Sequence, residues 1–119
     1  MENFTINLPK NLENMALPDP GLLNFYQEME DRIIWLDRTV DEDTVEIGKK
    51  ILRWNMEDRT KKPKKVKPII LLIFSYGGDL DVCNSLIDII EGSTTPIYGV
   101  NMGIAASAAC FIYLACHKR

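Results

Sequence analysis

Two short segments of the sequence bring together residue types that could handle an anion or a developing negative charge: Ser75-Tyr76-Gly77-Gly78 and Gly103-Ile104-Ala105-Ala106-Ser107-Ala108-Ala109. Gly77 and Gly78 can take backbone angles closed to other residues, and they let a ligand approach the main chain where a helix begins. Their amides can then point at a negative charge. A phosphate is the first candidate. However, Gly77-Gly78-Asp79 lacks the Lys and Ser/Thr of a phosphate-binding loop and the third glycine of a dinucleotide fingerprint, and Asp79 would repel phosphate. An oxyanion, whose charge exists only in a transition state, better suits a site with no fixed cation. Ser107 sits among small residues near the start of a helix, so its oxygen is reachable and the helix dipole favours negative charge there. Ala105 and Ala109 occupy the glycine positions of the G-x-S-x-G elbow, which disfavours an α/β-hydrolase. Taken singly, the glycines read as a tight turn and the serine as a helix-packing residue; the pairing of the two segments raises the chemical reading.

Other reactive residue types have structural readings. Cys83, Cys110 and Cys116 are odd in number, form no CxxC and complete no zinc pattern with the single histidine, His117. They read as reduced thiols, with Cys110 and Cys116 packing on a buried helix rather than reacting, and no metal site is expected. His117 falls near the end of the helix carrying Ser107, and is expected as an exposed residue complementing the helix dipole, not as a base for that serine. Asp31, Asp37, Asp41 and Asp43 flank a strand and start a helix, where capping and solvation account for them. The basic run from Lys61 to Pro68 contains Pro63 and has no interleaved aromatic residue for a base to stack on, so it reads as a solvated connecting loop. Trp35, Trp54 and Tyr98 read as core or subunit-contact residues.

The elements that must position the two segments follow from patterning. The chain has 119 residues, 46% hydrophobic and 26% charged, as in an ordinary globular domain. Its 14 basic and 17 acidic residues give a net charge of -3, which argues against nucleic-acid or anionic-membrane partners. Met1-Glu2-Asn3-Phe4 lacks the basic region and apolar run of a secretory signal, and the apolar stretches 68–74 and 104–115 fall short of the roughly 20 residues of a membrane helix. A soluble, cytoplasmic protein is expected. Residues 1–30 read as an N-terminal arm with a short amphipathic helix over Leu22 to Glu30, and 31–119 as the α/β domain. There the patterning predicts a strand over 32–36 and a helix capped by Asp41 or Asp43 with Ile47, Ile51, Leu52 and Trp54 recurring. A central strand, Ile69 to Phe74, is apolar on both faces, and a helix follows over Leu80 to Glu91. A strand over Pro96 to Val100, a turn at Asn101-Met102-Gly103 and a helix over Ala105 to Cys116 complete the order. Such alternation implies parallel crossovers with helices on the sheet, and sites gather at the carboxyl ends of the strands. The turns after Phe74 and Val100 can therefore share one edge.

Four segments, Arg32-Ile33-Ile34-Trp35-Leu36, Pro68 to Gly78, Pro96-Ile97-Tyr98-Gly99-Val100 and Gly103 to Ser107, resemble in order and spacing the proteolytic subunits of the ATP-dependent Clp proteases, over residues 31–119. The resemblance implies a crotonase-like α/β fold of stacked βαβ units, incomplete at the C-terminus. It also implies Ser107 as nucleophile, and the backbone amides of Gly78 and Ala108, supported by Gly77, as the oxyanion hole. Further implications are a homo-oligomer of stacked seven-membered rings, unfolded protein or peptide substrates, and an AAA+ ATPase partner that uses the ATP, with no cofactor in this chain. The family usually has proline where Tyr76 stands, and Met-Gly where Ala108-Ala109 stand. Its general-base histidine and its aspartate come after the position of Arg119, so base and acid are not expected in this chain, and what it carries is half of a serine endopeptidase site. Two other readings use the same fold: a non-catalytic ring subunit, and a crotonase-type acyl-CoA hydratase or isomerase in which the two amides hold a thioester enolate. Ser107 weighs against the latter, and the absence of an expected anchor weighs against a signal-peptide-peptidase relative with a lysine base.

Overall fold

Residues 19–119 are described by a computed structural model; residues 1–18 of the expected arm lie outside it. Asp19 accepts the Leu22 amide at 2.8 Å and Pro20 takes a first-turn position, so helix α1 begins at Pro20 and runs to Asp31. Arg32 closes it in a left-handed conformation, φ 59°, and sends the chain into the sheet.

Strands β1 (Ile33–Leu36), β2 (Ile69–Ser75) and β3 (Ile97–Ala105) pair in parallel in the order β1-β2-β3, with β2 central as its apolar run predicts. Helices α2 (Val45–Asp58) and α3 (Leu80–Gly92) make the two crossovers, and α4 (Ala108–Ala115) follows β3. Ile34, Leu36, Leu71, Ile73 and Ile97 alternate along the strands onto one face and bury against Ile51, Trp54, Leu86, Ile90 and Ile112 of the helices. The other face of the sheet is only partly covered. Trp35, Phe74 and Val100 are exposed there, and Ile70 and Leu72 are half-buried. No helix among the described residues is long and apolar enough to cross a membrane.

Asp41 caps a short 3-10 turn, Glu42–Thr44, that leads into α2, which is the capping role read from the sequence. Leu52 departs from expectation. It is 51% exposed, because Ile47, Ile51 and Trp54 already complete the i, i+4, i+7 stripe and the next position turns outward. The basic run is exposed and folded around a 3-10 turn at Pro63–Lys65.

The larger difference is in β3. Instead of turning at Asn101-Met102-Gly103, the strand continues to Ala105, pairing Asn101 with Ile73 and Ala105 with Ser75. Four steps on β3 thus face two on β2, which makes a bulge. Gly103 absorbs it at φ 142°, with its amide donated to Asn101 Oδ1 at 3.0 Å and the Phe74 ring against its Cα. The turn-forming residue types act inside the strand. As a result α4 starts at Ala108 and not at Ala105, leaving Ser107 outside the helix as its N-cap residue.

Candidate active site

β2 and β3 end together, and the segments that leave them stay in contact. Ala106 N donates to Ser75 O at 3.0 Å immediately beyond the last pair of the ladder. Ser107 then takes φ 52°, ψ −126°, a region that residues with a Cβ rarely occupy, so the elbow is strained. The chain turns sharply into α4, which begins with Ala109 N bonded to Ala106 O at 3.0 Å and Cys110 N to Ser107 O at 2.9 Å. The Ser107 side chain makes no capping bond and the residue is exposed, while Ala108 and Ala109 are fully buried beneath it.

The glycine turn lies directly against this elbow. A Cβ on Gly77 would stand 2.8 Å from both Ala106 O and Ser107 Cβ and 3.0 Å from Ala108 N, so the close approach requires glycine at φ 105°. A Cβ on Gly78 would overlap the Val40 carbonyl oxygen. Val40 enters because the chain after β1 passes along the turn: Val40 N donates to Gly77 O at 2.9 Å, and Asp79 N to Val40 O at 2.8 Å. Gly77 N donates to Ser75 Oγ at 3.2 Å, and the Asp79 carboxylate caps α3 by accepting the Val82 amide at 3.0 Å. Among the described residues, nothing accepts the amide of Gly78 or that of Ala108. Tyr76, noted above as a departure from the family pattern, is exposed and edge-on to Phe74, and the turn closes with it in place.

Ser107, Gly77, Gly78 and Ala108 are therefore brought together; His117 is not. It is exposed, as the sequence implies, but beyond α4 the chain carries it back along the open edge of β3. His117 N donates to Ile97 O and His117 Nδ1 accepts from Ile97 N, each at 2.9 Å, and Gly99 N donates to Lys118 O at 2.8 Å. Ile97 is the first residue of β3, whereas Ser107 follows its last. The pairings of Ile97 with Ile69 and of Ala105 with Ser75 lie six β2 residues apart, which at about 3.3 Å per residue holds the imidazole on the order of 20 Å from the hydroxyl. A cavity of about 460 Å³ also lies at that far end, against Pro96 and the end of α2.

Asp41, Glu42, Asp43 and Asp79 border a shallow hollow of about 410 Å³. With acidic groups so near the turn, a ligand carrying a permanent negative charge is disfavoured, whereas a neutral carbonyl that becomes charged only as it reacts fits. Cys83 and Cys116 are buried and Cys110 is half-buried; burial pushes the Cys116 thiol up to about 11 and raises that of Cys83, whose Sγ donates to Ala108 O at 3.3 Å.

Sequence reasoning missed two groups. Ser75, 1% exposed, links the turn to the post-β1 loop by donating to Arg38 O at 2.6 Å. Its signal was available: positions 69, 71, 73 and 75 share the buried face of β2, and a buried hydroxyl must be bonded. The other group is the buried pair of Arg32 and Asp58, joined by two bonds of 2.6 and 2.7 Å, to which Thr95 Oγ1 adds a bond at 2.6 Å. Its members are 26 or more residues apart, and no local pattern links them.

A sequence profile of the Clp protease family matches residues 21–119. Over 52 residues the chain is 40% identical to ATP-dependent Clp protease proteolytic subunit 2 of Treponema pallidum (strain Nichols) and 44% identical to that of Treponema denticola. Each match spans 44% of this chain and 26% of the relative. Among solved structures, ClpP1 from Listeria monocytogenes superposes with a TM-score of 0.66 at 22% identity, covering 78% of this chain and 51% of that one. The ClpP protease catalytic domain from Plasmodium falciparum gives 0.68 at 21% identity, covering 88% and 55%. The chain thus spans about half the length of these structures and matches about a quarter of the curated relatives. At these identities the structural likeness bears on the fold, which is the α/β architecture with a parallel sheet read from the sequence.

Proposed function

The chain belongs to the Clp protease family, and on that premise we propose that it supplies the nucleophile and oxyanion hole of a serine endopeptidase subunit in an ATP-dependent protein-degrading complex. Ser107 Oγ attacks the carbonyl carbon of a peptide bond, and its proton passes to a base. The carbonyl oxygen, now anionic, is held by the amides of Gly78 and Ala108. The C–N bond then breaks, the amine leaves with the proton, and water hydrolyses the acyl ester on Ser107. The observation that carries this reading is the bare hydroxyl at a positive-φ elbow beside two amides with no acceptor. Backbone donors already in place need no reorganisation as charge develops.

By the resemblance the base is a histidine from outside these residues; the single histidine of this chain is instead tied to Ile97. The resemblance supplies the rest of the proposal, an assembly of stacked seven-membered rings, unfolded polypeptide as substrate and an AAA+ partner that consumes the ATP; the sequence patterning adds a cytoplasmic location.

The natural gene product is expected to be labelled by a serine-reactive phosphonate, and Ser107→Ala to abolish the label; equal labelling of both proteins would remove Ser107 from the mechanism. The 119 residues by themselves are expected to turn over peptide poorly, because a serine without a base is almost entirely protonated at neutral pH. Robust turnover lost in Ser107→Ala would mean that the base lies within this chain. A natural gene product with no labelling and no turnover would favour a non-catalytic ring subunit.

A further inference from the structure

One residue reaches all three segments that build the elbow. Ser75 is buried at the end of β2; its hydroxyl donates to Arg38 O at 2.6 Å and accepts from Gly77 N at 3.2 Å, and its carbonyl accepts from Ala106 N at 3.0 Å. These bonds decide which amide of the glycine turn is left facing outward. The Gly77 amide is drawn inward to the hydroxyl, and the Asp79 amide is taken by Val40 O. The Gly77 carbonyl is taken by Val40 N. A trans peptide is planar with its C=O and N–H pointing opposite ways, so fixing the Gly77 carbonyl toward Val40 aims the Gly78 N–H away from it. Val40 is in turn held two residues beyond Arg38, whose carbonyl the Ser75 hydroxyl grips.

We propose that Ser75 is the positioning residue of the oxyanion hole: through Gly77 and Arg38 its hydroxyl fixes the Gly77-Gly78 peptide, and through Ala106 its carbonyl keeps the Ser107 elbow in step with it. This rests on the assignment of Ser107 and Gly78 made above. Ser75 touches no substrate. Its effect on rate comes from the direction of a neighbouring amide, and orientation alone is worth large factors. With the hydroxyl removed, the Gly77 N–H and the Arg38 carbonyl lose their common partner, and the turn is free to tilt against Ser107 Cβ.

The test compares phosphonate labelling rates of the natural gene product, read as the mass increase of the intact chain, for wild type, Ser75→Ala, Ser75→Cys, Thr95→Val and Ser107→Ala, all well below the lowest melting midpoint. Thr95→Val deletes a buried hydroxyl at the far end of the sheet and serves as a control for lost stability. Ser75→Ala is expected to label about tenfold or more slowly, Ser75→Cys to fall between it and wild type, and Thr95→Val to stay within about twofold of wild type, since losing one oxyanion donor outright costs about 10²–10³ in rate. A wild-type rate in Ser75→Ala, or an equal slowing in Thr95→Val, overturns the proposal. If Ser75→Ala does not fold, the nearly isosteric Ser75→Cys decides in the same way, since sulfur is a weak donor and acceptor. Undiminished labelling in Ser107→Ala would instead refute the nucleophile assignment, a separate result.

Discussion

Ser107 occupies a backbone conformation that its own Cβ disfavours, and nothing in its side-chain bonding compensates for that. Such strain costs on the order of 1–3 kcal/mol, partly offset in a glycine variant by the greater freedom of the unfolded chain. Ser107→Gly is therefore expected to raise stability by about 1 kcal/mol, read as a higher urea midpoint, while abolishing phosphonate labelling. A lower midpoint would show that the elbow is relaxed with serine in place. Gly77 was legible from residue type because only a residue without Cβ fits where that atom would stand 2.8 Å from Ala106 O and from Ser107 Cβ. Ser75 was legible in principle, by its period along β2, yet it was masked by the glycines that follow it. The true position of His117 was not legible, because pairing with Ile97 depends on where the chain goes after α4, which no local pattern encodes.

At the level of elements, hydrophobic period and capping residues were enough to place β2 and α3 within a residue of their bounds and to identify α2 by its buried stripe of Ile47, Ile51 and Trp54. They failed at β3, where the turn chemistry of Asn101 and Gly103 was spent on a bulge, because strand pairing with β2 overrides local preference. The Arg32–Asp58 pair shows the same limit. It ties the start of β1 to the last residue of α2, with Thr95 and the Lys67 carbonyl as further partners. The Arg32 guanidinium, bonded to Asp58, holds that carboxyl well below the usual carboxylate range. The carboxyl's folded-state pKa is thus below its unfolded value of about 3.9, so its contribution is complete above that pH and is lost as pH falls further. Asp58→Ala is expected to destabilise by about 3 kcal/mol or more at neutral pH, because it strands a buried guanidinium. Below about pH 4 the gap between variant and wild type should narrow, as followed by urea midpoints against pH. A gap independent of pH would place the stabilisation in packing and not in the charge.

Across the whole molecule, the α/β class and the side on which chemistry gathers could be read from the order of elements. How much of the sheet is covered could not. β2 is apolar on both faces, whereas the helices occupy one side and Trp35, Phe74 and Val100 remain exposed on the other. Coverage is a property of what packs against a strand, and the strand's own residues do not specify it. The open face has a calorimetric consequence. Heat capacity rises on unfolding in proportion to the apolar area that water newly reaches, about 12–15 cal/mol/K per residue for a fully packed domain. Residues already hydrated in the native state add little to that change. In dilute solution this chain should therefore unfold with an increment below that range, and one that increases with protein concentration would show that association has removed the same face from water.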